Sequence, residues 1–103
     1  MRKNKKKYLN SYLLQQAKIS RLKEMISINP KMKQEYKRQI ATAECLREDI
    51  ENKISKVEDE ILSEILFQKY ICGKTLEEIS IIINYSKRHT ERLHITALEK
   101  FEL

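Results

Sequence analysis

The sequence predicts an all-helical protein, on three observations. Its 103 residues contain one glycine, Gly73, and one proline, Pro30. Sheets need turns, and turns draw heavily on those two residues, so all-β and α/β folds are excluded. Apolar side chains recur every three or four positions along most of the chain, the period of a helix with one buried face. Charged residues make up 35% and hydrophobic ones 41%, enough for one modest core and no second domain of any size.

The elements follow in order. Residues 1–7 carry five cations and nothing to bury, which predicts a disordered basic arm. A first helix runs from Tyr8 to Ile28 on the stripe Leu9, Leu13, Gln16 or Ala17, Ile19, Leu22 and Ile26. Asn29-Pro30 breaks it, because the residue before a proline is driven out of the helical region. Asn29 is then a cap and Pro30 the first position of a second helix. That helix carries the stripe Tyr36, Ile40, Ala43, Leu46, Ile50, Ile54, Val57 and Ile61, close to a heptad seam. With so short a link, residues 8–55 form a long helical hairpin or, if the stripes pair between chains, a coiled coil; both stay open. Ser55 and Glu58 have the spacing of a capping box, so the second helix either restarts there or runs on.

Residues 56–103 carry denser signals. Ile61, Leu62, Ile65, Leu66 and Tyr70 share a helical face that stops at Gly73, a natural left-handed C-cap. Thr75 with Glu78 forms another capping box, followed by Leu76, Ile79 and Ile82 or Ile83. Asn84-Tyr85 interrupts, since asparagine tolerates the left-handed conformation. Ser86 caps a last helix whose buried side is Leu93, Ala97, Leu98 and Phe101.

Several function classes drop out. The longest apolar run is Ile81-Ile82-Ile83, which spans no membrane, and no secretory signal is present. Cys45 and Cys72 lie far apart and read as buried reduced thiols of a cytoplasmic protein. One glycine cannot build a phosphate loop. His89 and His94 are five apart with no metal-ligand cluster around them. Glu58, Asp59, Glu60 and Glu64 lie along an exposed helix. With no nucleophile–base pair either, no enzyme and no cofactor is expected.

What remains is charge and a motif. Residues 1–28 hold eight Lys and Arg against one Glu, more than the whole excess of a chain with net charge +6. Such a surface suits nucleic acid or another polyanion, and serves equally as a solubilising tail. Thr75 to Leu93 has the form of a helix-turn-helix: a short helix, a tight turn, then a helix that opens with polar and basic residues. The second helix of this motif lies in the major groove and reads base edges with its first turns. Here those residues are Lys87, Arg88, His89, Glu91 and Arg92. Ser86 and Thr75 are placed to hold phosphate or to cap helices.

Lys69-Tyr70-Ile71-Cys72-Gly73-Lys74-Thr75-Leu76-Glu77-Glu78-Ile79, then Tyr85-Ser86, then Ala97-Leu98-Glu99-Lys100-Phe101, resembles region 4 of sigma-70-type factors over about residues 59–101. With a helical pair in front, the whole chain looks like the small phage-encoded late transcription regulators of the RinA/ArpU type. It departs from the sigma pattern at Ser80 (usually Ala), Asn84 (usually Gly), Thr90 (usually Val or Ile), and Lys87-Arg88 (usually Arg then Glu). The contact set differs, so the resemblance does not imply that the chain reads a standard −35 element. Nothing resembles a −10-binding region, so the chain is no complete sigma factor. The resemblance implies a sequence-specific regulator that partners double-stranded DNA, and RNA polymerase if it docks there, in the cytoplasm of a bacterial host. A homodimer would present two recognition helices one DNA turn apart. Two rivals are a DNA-packaging component like a small terminase subunit, and a module that docks on polymerase or another regulator.

Overall fold

The computed structural model describes residues 2–103, and these are helical with no strand. Five α-helices follow in order: α1 (Arg2–Ile28), α2 (Lys33–Ser55), α3 (Glu60–Leu66), α4 (Leu76–Ile83) and α5 (Lys87–Lys100). Pro30–Met32 forms a 3-10 turn between α1 and α2, and Phe67–Ile71 prolongs α3 as a π-turn.

The expected disordered arm is corrected: Arg2–Lys7 are the first turns of α1, and Met1 lies outside the described residues. Five cations at the positive end of a helix repel one another and oppose the helix dipole. Tertiary contacts outweigh that cost. The Lys5 ammonium donates to the carbonyls of Leu98 (2.9 Å) and Glu99 (3.3 Å), at the negative end of α5. The Tyr8 ring lies against Phe101, centroids 6.1 Å apart.

α2 lies back along α1. The buried side of α1 is Leu9, Tyr12, Gln15, Ile19 and Leu22. The expected stripe holds at both ends and fails in the middle: Leu13 is 44% exposed, beside Leu14 at 56%, and Gln16 and Ala17 are exposed as well. The reason is that tyrosine buries a ring while its hydroxyl finds a partner. Tyr12 donates to Glu51 Oε1 at 2.6 Å, Tyr8 to Asp49, and Arg47 of α2 to Gln16. These polar bridges set the rotation of α1 and turn the two leucines outward. Burial and the Glu51 carboxylate push the Tyr12 hydroxyl up to about 12.

Asn29 does not cap: its φ is −132° and ψ 78°, and its side chain accepts no bond from the following turn. α2 begins without a side-chain cap. It buries Tyr36, Ile40, Ala43, Ile50 and Ile54 as the stripe predicts, but leaves Leu46 exposed. α2 ends at Ser55, whose hydroxyl donates back to Glu51 O at 2.9 Å. Ser55 is still helical, so it cannot start the next helix; the extended Asp59 does, accepting from Leu62 N at 3.1 Å.

Two apolar clusters hold the chain. The smaller, Ile19, Leu22, Tyr36, Ile40 and Ala43, zips the far end of α1 and α2. The larger joins Leu9, Tyr12, Ile50 and Ile54 of the first two helices to Leu62, Leu66, Tyr70, Ala97, Leu98 and Phe101. The end of α2 near residue 55 is therefore a helix end inside one core. Cys45 and Cys72 are both exposed, against expectation. Cys45 sits on the side of α2 opposite Ala43 and Ile50, and Cys72 in the turn leading to Gly73. The molecule measures 52 × 25 × 21 Å, long because the α1–α2 pair projects beyond the rest.

Candidate nucleic-acid interface

The geometry of α4 and α5 is fixed by four local devices. Gly73 has φ +72° and ends the π-turn, with Lys74 N donating to Gln68 O at 3.0 Å. Thr75 then caps α4: its hydroxyl accepts from Glu78 N at 3.1 Å, and its own N–H donates to Glu78 Oε1 at 3.0 Å. Those bonds hold the Glu78 carboxyl below its usual range. Asn84 stops α4 in the left-handed region at φ 60° and ψ 43°. Ser86, extended, caps α5 by accepting from His89 N at 3.1 Å.

α4 buries Ile79 and Ser80, and the polar side chains buried on α4 and in the first turn of α5 are paired. Ser80 is buried, and its hydroxyl donates to Glu77 O. Thr90 is fully buried, and its hydroxyl donates to Ser86 O at 2.9 Å. Thr90 is thus buried at no cost in unsatisfied polar groups. It also ties the first turn of α5 to its own cap.

The inward side of α5 is Thr90, His94, Ala97 and Leu98. Lys87, Arg88, His89, Glu91 and Arg92 are all exposed. Arg88 and Arg92, four apart, share the face opposite the buried stripe, with Ile95 and Glu99 farther along it. Among the described residues none of Lys87, Arg88 and Arg92 forms a salt bridge. The His89 ring meets the edge of Tyr85, centroids 5.0 Å apart, so it flanks the outward face. Of the seven residues singled out, the structure gathers Ser86 through Arg92 at one end of α5, whereas Thr75 lies at the far end of α4. Thr75 and Ser86 both spend their hydroxyls on caps.

The outer face of α4 differs in character. It carries Glu77, Glu78 and the exposed Ile81 and Ile82, Ile81 being 76% accessible. Of these two helices, only α5 carries cations.

Sequence reasoning missed one buried group, His94. Its Nε2 is 2.7 Å from the Tyr70 hydroxyl, and the two side chains tie the π-turn to α5. Burial pushes the imidazole down to about 4, with help from the Lys69 and Lys6 charges, and burial pushes Tyr70 up to about 12. Both are neutral at pH 7. The signal was available: His94 falls in step with Thr90, Ala97 and Leu98 on the buried stripe.

Among the described residues no three His, Cys, Asp or Glu side chains gather as metal ligands, and no helix is long and apolar enough to cross a membrane. A cleft of about 580 Å³ lies between the α2–α3 loop and the end of α5. Its lining balances Lys53, Lys56 and Lys100 against Glu58, Asp59 and Glu102. No protein-family model, curated protein or solved structure matches this chain at a significant level.

Proposed function

We propose that this protein binds double-stranded DNA sequence-specifically and regulates transcription, with α4 and α5 acting as a helix-turn-helix. In this reading α5 enters the major groove by its Ser86 end. Arg88 and Arg92 read base edges, Lys87, His89 and Glu91 line the contact, and the amides at Ser86 face phosphate. One observation carries it: two salt-bridge-free arginines on the outward face of a helix whose start and tilt are fixed by Asn84, Ser86 and Thr90. Locked caps of this kind hold side chains where a rigid groove can be read. The sigma-like resemblance supports a phage regulator working in a bacterial cytoplasm.

The test is to incubate the protein with sheared DNA from its source at 150 mM salt and sequence what is retained. A few enriched sites are expected. Arg88→Ala with Arg92→Ala should abolish the enrichment with helicity unchanged, since each bidentate arginine–guanine pair contributes about 1–3 kcal/mol of discrimination. Retention without enrichment, or enrichment untouched by the double variant, overturns the assignment. Half-site spacing in the enriched sites reports whether a dimer binds.

A further inference from the structure

We infer that the basic first turns of α1 form a second phosphate-binding surface, gripping the nucleic-acid backbone beside the site read by α5. This rests on the DNA-binding reading of α5.

The surface is built from Arg2, Lys3, Lys6 and Lys7. All four are exposed, and none forms a salt bridge among the described residues. No acidic residue occurs before Glu24, so no neighbour on α1 neutralises them. Lys5 behaves differently. It is half-buried, and its ammonium is spent on the Leu98 and Glu99 carbonyls. With the Tyr8–Phe101 contact, that bond seats the four exposed cations at the C-terminal end of α5. The placement is thus specific: one lysine anchors the turn and four are left facing outward.

Position and chemistry select the partner. Lys6 lies near enough to His94 for its charge to weigh on that imidazole, and Lys69 acts on it from the π-turn. Cations from two elements, Lys6 and Lys69, therefore gather around the inward-facing His94 in the C-terminal half of α5. Arg88 and Glu99 are eleven residues apart, about 16 Å along the axis. A major groove is about 12 Å wide. A helix that reads bases with its first turns carries its far end, and the basic turns seated there, to the level of a flanking strand. Residues 2–7 contain no apolar side chain, so they have nothing to insert into a lipid surface. Lysine is also depleted from packed protein interfaces. A patch of salt-bridge-free ammonium groups matches a repeating phosphate chain.

The experiment compares the salt dependence of binding to one enriched DNA fragment. The full chain is set against Lys3→Gln/Lys6→Gln/Lys7→Gln, with Lys5 kept. Each lost phosphate contact should lower the slope of log K against log salt by about 0.9, so a fall of about 2–3 is expected. Affinity at 150 mM salt should drop at least about tenfold for such a loss, with the preferred sequence unchanged. Lys3→Arg/Lys6→Arg/Lys7→Arg should keep the wild-type slope. Circular dichroism verifies that each variant is folded. An unchanged slope in the folded glutamine variant overturns the inference and leaves the α5 reading standing. A changed sequence preference also overturns it, because backbone contacts carry no sequence information. Wild-type protein that binds no DNA fails the underlying reading itself.

Discussion

The two ends of the elongated molecule hold their helices by different means. α4 and α5 each begin at a side-chain cap, Thr75 and Ser86, and the breaks before and between them use the two left-handed residues, Gly73 and Asn84. α1 and α2 are joined by Asn29–Met32 with no side-chain cap at either link. Their relation is set by facing side chains: Tyr8 with Asp49, Tyr12 with Glu51, Arg47 with Gln16. One half is shaped by chemistry within four residues, the other by chemistry across thirty or more. A helix presented to a partner needs a fixed start and tilt, which local caps give; a pair of long helices needs only a matched seam.

The largest break in this contrast comes where the halves meet. Phe101 is fully buried in the shared cluster and touches Tyr8. Phe101→Ala should cost about 3–5 kcal/mol in urea unfolding. It should loosen the first turns of α1 as well as α5, seen as faster amide exchange at both. Exchange faster at α5 alone would show that the halves are independent.

A pH experiment sharpens the same junction. His94 sits at about 4 when folded and near 6.5 when unfolded. Between those values the unfolded chain binds a proton that the folded chain refuses. The stabilisation is complete above pH 6.5 and is lost as pH falls toward 4, by about 3 kcal/mol at about 1.4 per unit. Carboxylates also titrate in this window, so the quantity to measure is the difference between wild type and His94→Gln. The glutamine can bond Tyr70 but does not titrate. Parallel stability curves would refute the assignment.

The smallest effects compare caps. Ser86→Ala and Thr75→Ala should each cost about 1 kcal/mol by thermal unfolding. Gly73→Ala should cost about 1–2 kcal/mol from backbone alone, because an added Cβ would meet only Leu13 Cδ1 at an ordinary 3.6 Å. Ser55→Ala should stay within about 0.5 kcal/mol, since that serine caps nothing. A Ser55 effect as large as that of Ser86 would void the distinction.

This contrast also explains what was legible in the sequence. Thr75, Ser86, Gly73 and Asn84 announce their roles because each acts on its own neighbours. The helical character of residues 8–28 was legible too, but not its rotation. A stripe of leucines competes with one of tyrosines, and only the acids waiting on α2 decide for Tyr12 over Leu13. The order of Arg2–Lys7 was hidden for the same reason. Its partners, the Leu98 and Glu99 carbonyls, lie more than ninety residues away. In the candidate site the exposed cations were readable from spacing, whereas the Tyr70–His94 pair needed the π-turn to bring residue 70 beneath α5.

The bond from Lys5 to Leu98 closes a loop of 93 residues. Helical proteins owe their speed of folding to local contacts, and this one must also complete a contact between residues 93 apart. On a ribosome, α1 and α2 can zip together as soon as both have emerged. The opening turns of α1 nevertheless remain unseated until residue 101 has been made. Those turns are therefore among the last of the described residues to find their place.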